Sequence, residues 1–442
     1  MDEKEYLQTL GEQIVNPHAR ASVLAEIQDH IEEQAQDYCQ EGMTKEDAMK
    51  ESIRQMGDPV SAGEALNQIH RPHFPVVLFG IAVVLTLFGI VMQYILYTFE
   101  PADTTYAHIS FMQHTIGYNL IGFCIILLGI FGNYMLLSRY SKWLYLIFLA
   151  LPLFLLTAPM GYYQKQMILY VLCLLYPFVY ALLLYHFREN GWKAIVRLHL
   201  LSLLFFGLIL TVSYGGVWPP VLAFVLLSLL LLGLCIQKGF LSGSKKILWC
   251  WTLLPYMAFA VLAAAFFLRP QTYLSDRLRN LIGRQNADFG PGYTMHTLHN
   301  EQTQFHLFGG NFVSDGLPKE TLYTTYLLHS IFLWFGVIVG IAVIAALVFF
   351  ALYGMRCALQ QSNRLALLLG TAASGILLLE LLNYVLTNFG VNLFYTASVP
   401  FLSYGLANTI ANSILVGILL GIIRNRNVLS EYEPKPMMMS ET

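Results

Sequence analysis

Residues 76–98 read VVLFGIAVVLTLFGIVMQYILYT, a stretch of 23 residues without a charged side chain. As a helix, this stretch crosses a bilayer core of about 30 Å. Similar stretches fill most of the chain, and they must be helices because an open sheet cannot satisfy its backbone in lipid. The sequence therefore predicts an all-α polytopic membrane protein with about ten transmembrane helices. To within a few residues, the predicted spans are 73–98, 109–137, 142–158, 166–187, 195–214, 217–237, 247–268, 325–354, 364–389 and 401–423.

The composition supports this class. The 442 residues are 56% hydrophobic and 12% charged, whereas soluble domains carry about 25% charged residues. A net charge of -2 gives no basic surface for nucleic acid. The six cysteines stand singly, so no disulfide framework is expected. His296, His299 and His306 have no carboxylate or cysteine ligands at helical or turn spacing, so we predict no metal site and no cofactor.

The loops between the spans predict the orientation of the chain. Lys and Arg cluster in one set of loops and are nearly absent from the short loops of the opposite set. Because cation-rich loops stay in the cytoplasm, both termini, including the tail 431–442, are expected inside. The segment 269–324 is then one long loop on the outer face. A loop of this length is usually functional.

The first 72 residues differ from the rest, since they are polar and predict three or four amphipathic helices. Val23, Ile27 and Ile31 recur at helical spacing, and Thr44 is a plausible N-cap. The motifs HIEEQ (30–34), EGMTKEDAM (41–49) and MGDP (56–59) make residues 1–72 similar to the short domain that precedes many bacterial permease-like proteins. That resemblance implies a cytoplasmic interaction or regulatory domain, and the alternative is a simple solubilising cap.

Motifs near the C-terminal end identify a second resemblance. Two segments resemble the last-helix signature of the SEDS (shape, elongation, division and sporulation) family. They are Asn388-Phe-Gly-Val-Asn-Leu393 and Pro400-Phe-Leu-Ser-Tyr-Gly405. The family has a second glycine after the latter, where this chain has Leu406. The resemblance covers about 73–430 and is strongest in 273–405. In the outer loop the matching residues, in family order, are Tyr273, Arg277, Arg279, Asp288, Gly290, Gly292-Tyr293, Gly309-Gly310 and Leu317-Pro318.

The SEDS resemblance implies a ten-span fold with its large outer loop between the seventh and eighth spans. It implies a protein of the bacterial cytoplasmic (inner) membrane that polymerises glycan strands from the lipid-linked peptidoglycan precursor. Such proteins serve cell division, elongation or sporulation, and they usually work with a transpeptidase (penicillin-binding protein) partner.

The resemblance also suggests substrate-binding residues. Arg277 and Arg279 suit the leaving diphosphate, because guanidinium groups bind phosphate oxygens bidentately; alternatively they anchor the loop to lipid headgroups. Glu380 lies in the middle of a span, where a carboxylate needs a cavity or a partner; alternatively it is a packing residue. The predicted substrate-binding residues are Arg277, Arg279, Glu380, Asn388, Ser403 and Tyr404.

The chain departs from the family where the general base is expected. The family places an Asp just after an L-P-E-x-H-T motif, and that position falls on Tyr323 or Thr325, depending on the anchor. Neither side chain is a base near neutral pH. The nearest carboxylates, Glu320 and Asp315, are the predicted catalytic residues, with solvated loop acids as the alternative reading.

Three functions stay open at this point. The first is a peptidoglycan glycosyltransferase, and the second is a non-catalytic SEDS-like scaffold or lipid-binding regulator controlled through residues 1–72. The third is a lipid or solute transporter that uses Glu380. Transporters usually carry internal repeats, and the sequence shows no convincing one, so this alternative ranks last.

Overall fold

The computed structural model describes residues 2–99, 105–213, 217–267, 293–310, 316–317, 319–391, 399–402 and 404–426. All regular elements in these ranges are helices, which confirms the all-α class. The chain forms two compact units. One consists of Met1–Pro75, Gln361–Arg364 and Ile422–Thr442, and the other of Val76–Gln360 and Leu365–Gly421.

The first unit contains four helices at its N-terminal end, α1 Glu3–Gln13, α2 Pro17–Gln40, α3 Lys45–Gln55 and α4 Pro59–Ile69. Three of them begin at N-caps with short polar side chains, Asp2, Thr44 and Asp58, which satisfy backbone N–H groups left free at a helix start. Thr44 Oγ1 accepts from the Asp47 N–H at 3.3 Å, and the Asp58 carboxylate accepts from the Ser61 N–H at 2.9 Å. The core consists of Tyr6, Leu10, Ile14, Ala19, Val23, Ile31 and Ile53.

The second unit, here called the membrane unit, has helices at all ten predicted spans. In the part of the chain that the structure describes, eight of these helices are long and apolar enough to cross a membrane, against the ten spans that the sequence predicts. Ser141–Thr157 is a shorter apolar helix. The helices up to the long loop are α5 Val76–Phe99, α6 Thr105–Phe131, α7 Met135–Arg139, α8 Ser141–Thr157, α9 Tyr162–Phe187, α10 Trp192–Val212, α11 Trp218–Gln237 and α12 Lys245–Phe267. From the loop onward they are α13 Tyr293–Gln302, α14 Lys319–Leu322, α15 Leu327–Phe335, α16 Val337–Leu359, α17 Arg364–Asn388 and α18 Leu406–Arg424.

Helices α9 and α17 are the most enclosed spans of the membrane unit. Their apolar windows are 78% and 83% buried, against 22% for the window in α6. Spans that are covered by protein can carry polar side chains, whereas a polar side chain that faces lipid carries a high free-energy cost. The polar groups of α17 discussed below therefore lie in the interior of the unit.

The predicted eighth span, 325–354, is not one helix. It breaks into α15 and α16 at Gly336, whose φ of 91° lies in the left-handed region that favours glycine. The preceding loop forms hydrogen bonds with the backbone on both sides of the break. The Val337 N–H donates to His306 O at 2.9 Å, and the Gly309 N–H donates to Phe335 O at 3.2 Å. One glycine inside an apolar run does not predict such a break, since the loop that satisfies it lies some 30 residues earlier in the chain.

The close approach of α6 and α18 gives a stability prediction. A Cβ added at Gly129 would stand 2.7 Å from the Gly417 Cα, whereas one added at Gly117, on the same helix, would meet no atom within 4 Å. We expect Gly129→Ala to lower the free energy of unfolding by about 1–3 kcal/mol through overpacking. Gly117→Ala should raise it by up to about 1 kcal/mol through helix propensity. Thermal unfolding of the two purified variants measures the difference, and equal stability would contradict the described contact.

Candidate functional site

A buried histidine–glutamate pair links the loop helix α13 to the membrane helix α15. The Nε2 atom of His329 lies 2.9 Å from Oε2 of Glu301, and the two side chains are 0% and 7% exposed. The ring of Phe305 covers the histidine, with 5.4 Å between the ring centroids. Because a buried carboxylate is costly without a partner, this pair holds α13 against the bundle.

Asn388, at the end of α17, makes a second link at the same place. Its Oδ1 accepts from the backbone N–H of His329 at 3.0 Å, and its Nδ2 donates to the Tyr384 and Thr325 carbonyls at 2.9 and 3.3 Å. The first N–H groups of a helix have no partner within it. Asn388 therefore caps the start of α15 from a neighbouring helix. The interaction is structural, and its role in substrate binding stays a prediction.

The loop behind α13 packs tightly against the α15–α16 break. A Cβ at Gly310 would stand 2.5 Å from the Leu333 carbonyl oxygen, and Gly309 has a φ of 55°. Both positions thus need glycine, one for space and one for backbone conformation. Gly309 and Gly310 are among the loop residues that resemble the SEDS family motif.

Five aromatic residues, here called the aromatic cluster, gather near the same end of the bundle. Tyr323 meets Tyr97 and Phe111 edge-on at 5.2 and 5.0 Å, and Tyr404 stacks on Phe111 at 4.8 Å and lies 5.7 Å from Tyr118. Burial, and then the neighbouring Tyr118, raises the pKa of the Tyr404 phenol, which therefore stays a neutral donor. Partly exposed rings with polar edges form an amphipathic surface for a sugar or an acyl chain.

Both positions at which the family base would fall have structural contacts in this protein. Tyr323 belongs to the aromatic cluster, and the Thr325 carbonyl accepts the hydrogen bond from Asn388. The backbone of Glu320 lies in α14, but its side chain and the whole of Asp315 lie outside the described residues. Their catalytic role stays a prediction.

The other predicted site residues are distributed as follows. Glu380 is buried in α17 with 4% of its surface exposed, so it lies in the interior of the membrane unit. Tyr404 lies in the aromatic cluster, next to the start of α18. Arg277, Arg279 and Ser403 lie outside the described residues. The structure thus brings Asn388 close to the loop and places Glu380 deeper in the bundle, eight residues or about 12 Å along α17.

Sequence reasoning missed Glu301. Nothing in the sequence signals that Glu301 and His329 meet across 28 positions. A carboxylate in a short polar helix of a loop looks like a solvated acid until the tertiary structure covers it.

Comparisons with known proteins agree with this fold. No family model matches the chain, and no curated protein matches it. Among solved structures, a chain from "Structural coordination of polymerization and crosslinking by a peptidoglycan synthase complex" is similar, with a TM-score of 0.57 and 15% sequence identity. The match covers 80% of this chain and 98% of that chain. At this identity the likeness shows the fold alone.

The fold defines a class. This chain is a multi-pass, all-helical membrane protein with a fold similar to that of a component of a peptidoglycan synthase complex.

The buried pair gives a second prediction. Glu301→Ala leaves His329 without its carboxylate partner, and we expect a loss of about 1–3 kcal/mol in the free energy of unfolding. Limited proteolysis of the folded protein should then cut within 293–310 faster than in the wild type. His299→Ala, an exposed substitution on the same helix, is the matched control. If both variants behave like the wild type, the pair does not hold the loop.

Proposed function

We propose that this protein is a SEDS-like membrane component of bacterial peptidoglycan synthesis that binds the lipid-linked precursor at the loop end of the membrane unit. The observation that carries the proposal is the fold likeness, which extends over 98% of a chain from a peptidoglycan synthase complex. The motifs at 388–405 and in the loop, read from the sequence alone, lead to the same process.

The aromatic cluster and the long loop suit such a substrate. The precursor joins an isoprenoid chain to sugars through a diphosphate, so it needs an apolar surface, a polar rim and cations close together. Half-buried rings of Tyr323 and Tyr404 supply an amphipathic surface. Arg277 and Arg279 of the loop would hold the diphosphate. Asn388 and Ser403 would complete the polar side, and Glu380 would lie deeper along the lipid chain.

One observation favours a non-catalytic scaffold over a glycosyltransferase. The two positions expected for the family base are occupied by Tyr323 and Thr325, and both make structural contacts. The buried Glu301–His329 pair is shielded from substrate. A transferase reaction would therefore need Glu320 or Asp315 to reach the acceptor hydroxyl, within hydrogen-bonding distance.

We place the protein in the cytoplasmic (inner) membrane with both termini inside. A transpeptidase of the penicillin-binding class would be its partner in the membrane. The helices of residues 1–72 would contact a cytoplasmic regulator, and the role in division, elongation or sporulation would follow from that pairing.

Glycan-strand polymerisation by the purified full-length protein tests the function. The assay uses a fluorescent lipid-linked precursor, with and without a cognate transpeptidase, and measures precursor binding in parallel. The variants are Glu320→Gln, Asp315→Asn and Thr325→Asp, the last of which places a carboxylate at one of the two expected base positions. If the protein is a scaffold, we expect the wild type to bind the precursor without making polymer. Among the variants, only Thr325→Asp could then gain polymerisation.

Two other outcomes are decisive. If the wild type makes polymer and Glu320→Gln or Asp315→Asn reduces its amount by at least about tenfold, the transferase reaction depends on that carboxylate. If the protein shows no precursor binding and makes no polymer, with or without the transpeptidase, the proposed role in wall synthesis is overturned.

A further inference from the structure

Two short loops meet at one end of the membrane unit. The first joins α9 to α10, and the second joins α11 to α12. Ser242 Oγ donates to the Glu189 carbonyl at 2.9 Å, and a Cβ at Gly191 would stand 3.1 Å from the same Oγ atom. Gly191 has a φ of 55°, so this close contact needs glycine. Residues 188–197 and 238–246 therefore form one surface, here called the two-loop surface.

The length of α9 separates the two-loop surface from the aromatic cluster. A Cβ at Gly405, next to Tyr404 of that cluster, would stand 3.3 Å from Met167 Cε near the start of α9. From Met167 to its end at Phe187, α9 runs about 20 residues, or roughly 30 Å. Because a bilayer core is also about 30 Å thick, the two-loop surface lies at the headgroup level of the opposite membrane face.

Cations dominate the two-loop surface. It carries six of them and a single carboxylate, that of Glu189. The Glu189 side chain is 86% exposed and its Oε1 atom lies 3.8 Å from Arg188 Nη2, a solvent-screened contact of little strength. The surface thus has five net positive charges, and five of its six cationic residues are exposed. The six are Arg188, Lys193, Arg197, Lys238, Lys245 and Lys246.

Two tryptophans adjoin these cations. Trp192 and Trp251 stack with their ring centroids 5.3 Å apart and 19° between the ring planes, and they thereby join α10 to α12. The two residues are 42% and 39% exposed. Exposed tryptophans at the ends of spans lie between lipid headgroups and acyl chains, because the indole N–H needs a polar partner and the ring an apolar one.

Apolar side chains continue from the tryptophans along the two helices. Leu203 lies eleven residues, or about three turns, after Trp192, and Leu254 lies three residues after Trp251. Each leucine therefore shares a helix face with its tryptophan. The two leucines are 70% and 62% exposed. From the loops inward, this side of the protein thus presents cations, then indole rings, then an apolar surface.

This order of chemical groups selects the ligand. A polyanion without an apolar part, such as nucleic acid or free phosphate, matches the cations but not the rings and leucines. A zwitterionic phospholipid matches the apolar part but has no net charge to offset five positive charges. An anionic phospholipid matches all three features, because basic side chains near the bilayer attract its phosphate and its acyl chains lie along the apolar helix faces.

We infer that the two-loop surface binds an anionic phospholipid of the surrounding bilayer, with its headgroup at the lysines of the two loops and its acyl chains along α10 and α12. This inference does not rest on the proposed role in wall synthesis.

Native mass spectrometry of the purified full-length protein tests this inference. Phosphatidylglycerol and phosphatidylcholine with identical acyl chains are titrated separately in a neutral detergent. We expect the wild type to bind phosphatidylglycerol at least about tenfold more tightly. The triple variant Lys193→Gln/Lys245→Gln/Lys246→Gln should lose this preference. Replacing the same three lysines by arginine keeps the charge and should keep the preference.

A matched control removes the same charge elsewhere. Arg71→Gln/Arg356→Gln/Arg426→Gln changes three exposed arginines outside the two-loop surface, and it should bind both lipids like the wild type. If the wild type binds the two lipids equally, a comparison that needs no variant to fold, the inference is overturned. An equal loss of preference in the control would assign binding to net charge and overturn it too. Displacement of the lipid by an equal concentration of glycerol 3-phosphate would likewise contradict a site that holds the acyl chains.

Discussion

The hydrocarbon core of the bilayer provides no water for backbone N–H and C=O groups, and this constraint governs the whole membrane unit. Along the spans, helices satisfy these groups internally. At two places in the described part of the chain the helix is interrupted, and there another segment of the protein supplies hydrogen bonds to the backbone. The loop segment 306–309 pairs with the backbone around Gly336, and Gln93 donates to Leu402 in the irregular segment before α18. The Glu301–His329 pair lies next to the first of these interruptions.

The all-α class and the location of the spans could be predicted from the sequence, because apolar length and loop charge respond to lipid and not to tertiary detail. The N-cap at Thr44 could also be predicted, since its interaction spans three residues. The break at Gly336 and the Glu301–His329 pair could not, because each joins residues about 30 positions apart.

The loop end of the membrane unit combines a rigid anchor with an aromatic surface. The buried Glu301–His329 pair and the Asn388 cap fix α13 and α15, so that Tyr323 is held beside Phe111. In the family that the motifs resemble, a carboxylate would occupy this region. Here its place is taken by the ring of Tyr323 and by Thr325, so the expected base is missing, while the aromatic surface proposed for the precursor is retained. This is the physical basis for preferring precursor binding to polymerisation.

Photo-crosslinking with a diazirine analogue of the lipid-linked precursor, followed by mass spectrometry of the labelled peptides, tests whether the precursor binds at the loop end of the membrane unit. We expect labels on the peptides that carry Tyr323, Tyr404 and the loop end of α6, and an excess of the natural precursor should suppress all of them. Labels spread over the exposed apolar faces of α8 and α10, such as Phe154 and Leu203, and unaffected by that excess would show only general contact with lipid. That result would contradict a precursor site at the loop end.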